Sequence, residues 1–464
     1  MWFRKLSGRV LSALALGLGT ATAGDPVLPP KLAEQLETKP IVESQSVELP
    51  KAPTLAPLPT APETPIETGP APKVYTAPSP SAVDVNPPPM PLPEGATLSS
   101  SSGLLFAGLP MQPGLAYARA EYVFWYLSGG SLPVLATTGP ATSPIGVPGF
   151  PGETILFGGD KPLQDPRSGG RLTFGTWLDC TRIVGVEVNG FWLGQQSVSF
   201  TDGSPDGSRV VASSPFIDAN TGLPTSVLIS FPGVVAGSTY ISYTGQSIWG
   251  AQGLMRVLLT AGEHWRLDGL IGYQCLNYNE ALTINRAVTP LGPPFVPGTT
   301  IVSNDLIKTE NEFNGGVIGI DCQKDYGCWT MNVRPSVAVG RMRNTVIRDG
   351  VTVISVPGAP DLMLPGGVYN LTSNLGEIDS QDWTVIPQLD FRVSKTIWEC
   401  IRLSIGYSAM YIPLLARAGE QIDPFVNPNL IPPIFPGGPQ SPSPILERSP
   451  AWLHGFTLGV EVRF

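Results

Sequence analysis

In the final strand-length segment, Trp452, Phe456, Leu458, Val460, Val462 and Phe464 share one set of alternate positions, while Gly455, Thr457, Gly459, Glu461 and Arg463 share the other. Successive strand side chains point to opposite sides, so this strand has one apolar face and one polar face. The same two-beat pattern recurs upstream. Trp383, Val385, Pro387, Leu389, Phe391 and Val393 oppose Thr384, Gln388, Asp390 and Arg392; Ile401, Leu403, Ile405, Tyr407 and Tyr411 oppose Arg402, Ser404, Gly406 and Ser408. Trp265, Leu267, Ile271 and Tyr273 oppose Arg266, Asp268 and Gln274, and Val184, Val186, Val188 and Trp192 oppose Glu187 and Asn189. Such strands either pack their apolar faces together as a dry core or turn them outward to lipid around a polar interior. Periodicity alone leaves that choice open, and the segment 313–321 is ambiguous even in its alternation.

The order of the connections bears on the choice. Short ones fall at 179–181, 260–263, 323–327 and 395–396; long ones at 129–166, 199–238, 287–305, 348–376 and 414–448. Strict alternation of short turns with long loops is the plan of an up-and-down outer-membrane barrel, and a soluble sandwich has no reason to keep it. The segments between them number about ten, an even count that puts both ends of the domain on the periplasmic side. The expected fold is therefore all-β: a transmembrane up-and-down antiparallel β-barrel over 115–464. Pro335 and Pro387 fall inside expected strands, where each removes a ladder donor.

Hydrophobic residues make up 42% of the chain and charged ones 14%, but beyond the N-terminus no apolar run approaches the ~20 residues of a spanning helix. Apolarity is spread thinly, as alternation requires. Residues 1–23 read as a secretory signal peptide: basic Arg4, Lys5 and Arg9, an apolar run over 10–18, and small residues before Gly24. No cysteine follows that site to carry a lipid. The formal charge is −9, and removing those three basic residues takes it to −12, which argues against a nucleic-acid partner. Residues 24–98 read as a Pro-rich disordered periplasmic tether; the stretch 25–95 holds 19 of the 51 prolines and one aromatic, Tyr75. Its plain role is a spacer, and its sharper one a grip on the cell wall.

The five cysteines, Cys180, Cys275, Cys322, Cys328 and Cys400, are an odd number for an oxidising compartment. Cys322 and Cys328 bracket a turn and are the disulfide candidate. Zinc is disfavoured, because no CxxC pair and no nearby histidine completes a ligand set. Aromatics near segment ends (Trp125, Tyr126, Trp177, Trp192, Trp249, Trp265, Trp329, Trp398, Tyr411 and Trp452) match the two girdles of a membrane barrel. Only His264 and His454 exist, and neither has a nucleophile motif beside it, so no enzyme, catalytic residue, metal or cofactor is expected. His454 reads as an interfacial residue of the outer wall. Phe464, at the end of the apolar stripe Phe456, Leu458, Val460 and Val462, is the ending expected of a strand presented to the barrel-assembly machinery.

The segments Ala120-Glu121-Tyr122-Val123-Phe124-Trp125-Tyr126-Leu127, Gly169 to Asp179 (GGRLTFGTWLD), Gly185 to Trp192 (GVEVNGFW) and His454 to Phe464 (HGFTLGVEVRF) resemble the outer-membrane family called beta barrel porin 7, of planctomycete-type bacteria. The resemblance runs over about 117–464. It implies an outer-membrane location and a barrel fold, and supplies no binding residues.

If the polar stripes face inward, the lumen-facing set is Arg119, Glu121, Arg171, Glu187, Arg256, Arg266, Asp268, Arg334, Asp390, Arg392, Arg402, Glu461 and Arg463. Eight strands leave room only for side chains and sixteen make a channel, so about ten strands imply a narrow or occluded porin for passive small-solute passage. The alternative is a structural or adhesion barrel with surface loops and a wall-directed tether. The expected partners are outer-membrane lipid and the assembly machinery, with the cell wall reached through the tether.

Overall fold

The computed structural model describes residues 115–464 apart from 129, 142–144 and 434–436. The signal and tether readings over 1–98 lie outside the described residues.

Ten antiparallel strands form a closed ring. They are β1 (Ala116–Leu127), β2 (Arg167–Trp177), β3 (Val184–Leu193), β4 (Ile248–Gly262), β5 (Trp265–Pro290), β6 (Thr300–Tyr326), β7 (Trp329–Ser355), β8 (Gly376–Trp398), β9 (Ile401–Leu415) and β10 (Ser449–Arg463). Each pairs with its neighbour in sequence, and β10 returns to pair with β1 from Tyr117↔Arg463 to Leu127↔Leu453. Closure leaves no sheet edge within the ring.

The apolar stripes lie on the outside of this ring. Phe456, Leu458, Val460, Val462 and Phe464 are all exposed, as are Val188, Ile271, Ile318, Val385 and Ile405 on the other strands. A continuous belt of exposed large apolar side chains belongs against lipid. Trp192, Trp249, Trp265, Trp329, Trp398 and Trp452 are exposed with it. Trp125 departs from the girdle expectation: it is only 3% exposed and packs inside the ring against Phe191, ring centroids 5.2 Å apart.

Two of the short turns are tighter than expected, the first is longer, and the last lies four residues beyond the expected 395–396. Observed short connections are 263–264, 327–328 and 399–400, because the strand ends carry aromatic and polar residues that still pair, as in Gly262↔Trp265 and Tyr326↔Trp329. The connection 178–183 is organised by Asp179, whose carboxylate accepts the Val184 N–H at 2.8 Å and the Ile183 N–H at 2.9 Å. Those bonds, with one from the Thr181 hydroxyl, hold its pKa down at about 2. Cys322 and Cys328 form no disulfide. Cys322 sits within β6 opposite Val333, whereas Cys328 belongs to the turn itself, so the two do not face each other across the hairpin. Pro335 has a visible consequence: the β6–β7 ladder skips from Gly319↔Ser336 to Cys322↔Val333 at the level of the residue that has no N–H.

At the long-loop end β5, β6, β7 and β8 run for 26, 27, 27 and 23 residues, well past the 9–11 that cross a bilayer. Two more strands extend this overhang: Gln196–Ser204 follows β3, and Val235–Gly245 precedes β4 and pairs with the outer part of β5. Where Val235–Gly245 breaks from β4, the Arg167 guanidinium donates to the Gln246 carbonyl at 3.0 Å and the Tyr278 hydroxyl at 3.3 Å. A Cβ at Gly245 would stand 2.4 Å from Arg167 Nη2, so a side chain there would displace this guanidinium. Three long connections together supply a separate five-stranded sheet of Ala136–Thr138, Thr154–Phe157, Val211–Asp218, Pro224–Ser230 and Phe425–Val426. The expected loops are thus a folded head with its own buried core, including Leu135, Ile241, Leu282, Ile284, Val346 and Leu371.

Candidate functional site: the filled interior

The interior is built in layers, each set by which residue type occupies the inward positions of the alternating strands. Nearest the short turns, Glu187 on β3 takes a two-pronged bond from Arg334 on β7, Nη1 to Oε1 at 2.5 Å and Nη2 to Oε2 at 3.1 Å. Arg256 on β4 joins Glu187 at 2.9 Å, Asp268 at 2.8 Å and Asp321 at 3.1 Å. Arg266 closes on Asp268 at 2.8 Å, and Arg334 also holds Asp321 at 2.6 Å. The Tyr117 hydroxyl bonds to Glu187 and lies 3.0 Å from Arg256 Nη1.

A second ionic group sits beside it. Arg171 grips Glu121 with Nε at 2.6 Å and Nη2 at 3.1 Å, and reaches Asp390 at 2.8 Å. Arg119 pairs with Glu121 at 3.3 Å and Glu461 at 3.2 Å, and Arg463 holds Glu461 at 2.8 Å. Two-pronged guanidinium–carboxylate pairs are the geometry that offsets burial of charge best. Arg392 is the outlier, 3.7 Å from Glu121, and Arg402 makes no ion pair among the described residues.

Above the ions lies an amide layer. Gln252 donates to Gln274 at 2.8 Å and to Gln388 at 2.9 Å, while Asn189 donates to Gln252 at 3.1 Å. Then the interior turns apolar: Trp125, Phe191, Leu276, Phe313, Met342, Met410 and Leu453 pack into one cluster across the ring. The long-loop end is closed by the connection after β9. Ala416 N–H donates to Asn311 at 2.8 Å, and Glu280 receives Arg417 at 2.8 Å and the Ala418 N–H at 3.0 Å.

Every residue of the expected lumen set is buried or half-buried, and the structure draws them into these two ionic groups, with Arg392 and Arg402 left at their margin. Together they amount to eight arginines against six carboxylates, the sixth being Asp321, which the sequence reading missed. Its signal was the hairpin: with the turn at 327–328, Asp321 and Arg334 lie the same number of residues from it. Also missed were Tyr117, Glu280 and Arg417. Of the two histidines, His264 lies exposed in the β4–β5 turn, and His454 on β10 meets the Tyr407 hydroxyl at 2.9 Å and stacks on Tyr126.

Voids remain beside the ionic groups. One of about 40 Å³ lies between Trp125, Arg171 and Met410, and one of about 110 Å³ opens among Tyr117, Arg392 and Arg463 at the short-turn end.

The family model for beta barrel porin-7 (BBP7) matches residues 117–464. The chain belongs to that family. This porin-7 barrel is accordingly an outer-membrane β-barrel protein. No curated protein matches its sequence. Among solved structures it is similar to the outer-membrane protease OmpT of Escherichia coli, at 9% identity and a TM-score of 0.37, covering 77% of this chain and 99% of that one. It is also similar to the toluene transporter TodX of P. putida, at 8% identity and a TM-score of 0.22 over 76% and 91% of the two chains. A Pseudomonas aeruginosa FadL homologue matches at 7% identity and a TM-score of 0.23 over 75% and 90%. Likenesses this loose bear on neither activity nor substrate.

Proposed function

We propose that this porin-7 barrel is a plugged membrane anchor for a folded surface head, not an open diffusion pore. The observation that carries the reading is the stacked filling of the ring by ions, amides and apolar side chains; the voids beside the ionic groups are about 40 and 110 Å³, and one of about 390 Å³ among Leu132, Glu420 and Arg448 opens at the long-loop end. Neither of the two voids beside the ionic groups is lined by Glu280, Asn311 or Arg417, which close the long-loop end, so neither runs through the ring. In this reading the outer stripe meets acyl chains, the short turns face the periplasm and the five-stranded sheet stands outside the cell. The exposed stripe of β10 is the segment offered to the assembly machinery, and the wall-directed role of residues 24–98 rests on their composition.

Purified full-length protein in planar bilayers tests the proposal. Silent membranes at all voltages are expected. Regular conductance steps would instead establish the narrow passive porin, the second reading, which the family description favours. The position of His454, bonded to Tyr407 and remote from the exposed His264 turn, supports a non-catalytic role for both.

A further inference from the structure

The ionic filling described above holds two more arginines than carboxylates, and the surplus has an address. Arg392 is 7% exposed, its Nε has no hydrogen-bond partner, and its nearest carboxylate is Glu121 at 3.7 Å. Arg402, two residues from the β8–β9 turn, is half-buried. Both line the void of about 110 Å³ at the short-turn end, together with Arg119, Thr330 and Ser394. A guanidinium out of water without a counter-charge is strongly unfavourable, whereas one that awaits an anion is a binding site.

The carboxylates at this void do not compete for the role. Glu461 is already shared by Arg119 at 3.2 Å and Arg463 at 2.8 Å, and Asp321 by Arg334 at 2.6 Å and Arg256 at 3.1 Å. Their charge is spent; Arg392, Arg402 and Ser394 line the void, while Asp325, outside that lining, accepts the Thr330 hydroxyl at 2.7 Å and makes no ion pair with Arg402.

We propose that this void is a binding site for a small oxyanion, inorganic phosphate or a short dicarboxylate, held between Arg392 and Arg402. The volume suits it: about 110 Å³ holds a group of a few heavy atoms. Guanidinium forks match oxyanion geometry. The site does not depend on whether the barrel conducts, since an anion seated here enters and leaves by the same mouth.

The test is titration calorimetry on the full chain in detergent at low ionic strength, using inorganic phosphate, succinate and acetate in turn, with a chloride blank. One phosphate or succinate per chain is expected, with acetate at least tenfold weaker. Arg392→Gln and Arg402→Gln should each weaken binding at least tenfold, while Arg341→Gln, whose guanidinium bonds to exposed Gln381, leaves it unchanged. Folding is followed by the mobility shift on boiling, and Arg402→Gln, at the mouth, decides the matter if Arg392→Gln does not fold. Absence of a binding signal in the wild type, or folded variants that bind as well as it does, would overturn the proposal.

Discussion

Arg171 on β2 and Asp390 on β8 meet at 2.8 Å across the interior, from strands that are not neighbours anywhere in the ring. This pair ties opposite walls together through the space a pore would keep open. The same guanidinium holds Glu121 on the adjacent strand and reaches Ser408 on β9 at 3.2 Å, so one side chain joins four strands.

Arg171→Ala should therefore destabilise the barrel by about 3–5 kcal/mol, the usual effect of stranding a buried charge. Reversible urea unfolding in detergent measures it. The double variant Arg171→Ala with Asp390→Asn should recover part of the loss, because Asp390 has no other ion-pair partner among the described residues, whereas Glu121 keeps Arg119; a double variant no better than the single one contradicts the assignment.

The apolar layer gives a second expectation. Trp125→Ala combined with Phe191→Ala removes two facing rings from the cluster that spans the interior. Bilayers containing this variant should show intermittent current where the wild type shows none, and continued silence would place the seal elsewhere.

Acid response should report on the β2–β3 turn. The Asp179 carboxyl is held near pKa 2, below the ~3.9 of an unfolded aspartate, so its contribution is complete above about pH 4 and disappears as the pH falls through about 2. Thermal unfolding followed from pH 5 to pH 2 should fall less steeply for Asp179→Asn than for the wild type. Equal slopes would remove Asp179 from the account.

Cys322 and Cys328 should both be alkylated after unfolding without reductant, and mass spectrometry reads each directly. A linked peptide pair surviving that treatment would contradict the observed hairpin.

In the head, buried Asp305 accepts the backbone N–H groups of Val368 and Tyr369 at 3.0 and 3.1 Å and pairs with Arg286 at 2.7 Å. Asp305→Ala should loosen the β7–β8 connection by several kcal/mol, each charge-assisted bond contributing ~1.5–3. Limited proteolysis should then cut within 356–375 while the mobility shift on boiling persists, since Asp305 lies near the long-loop end of β6, away from the short-turn half of the ring.

The sequence made the ring legible where inward and outward positions differ in polarity. Val460 against Glu461 and Phe391 against Arg392 declare their faces at once. That contrast fails in the middle of β6, where inward Phe313 and Val317 alternate with outward Ile318 and Ile320 and both sides are apolar. This is why 313–321 read as ambiguous and why Asp321 was lost from the ionic set. It fails again beyond the membrane, where strands such as β6 and β7 continue through residues that read as loop. Glu280 and Arg417 are 137 positions apart, and no local pattern announces that such a pair will meet.

The overhanging strands carry one further consequence. In the proposed anchor, a 27-residue strand of which about 10 cross the bilayer leaves roughly 17 residues, or about 55 Å of strand, beyond it. Because these are the same hydrogen-bonded ribbons above and below the surface, the head has no pivot at the bilayer. A load or a ligand at its tip would act on the wall of the barrel as on the foot of a rigid mast.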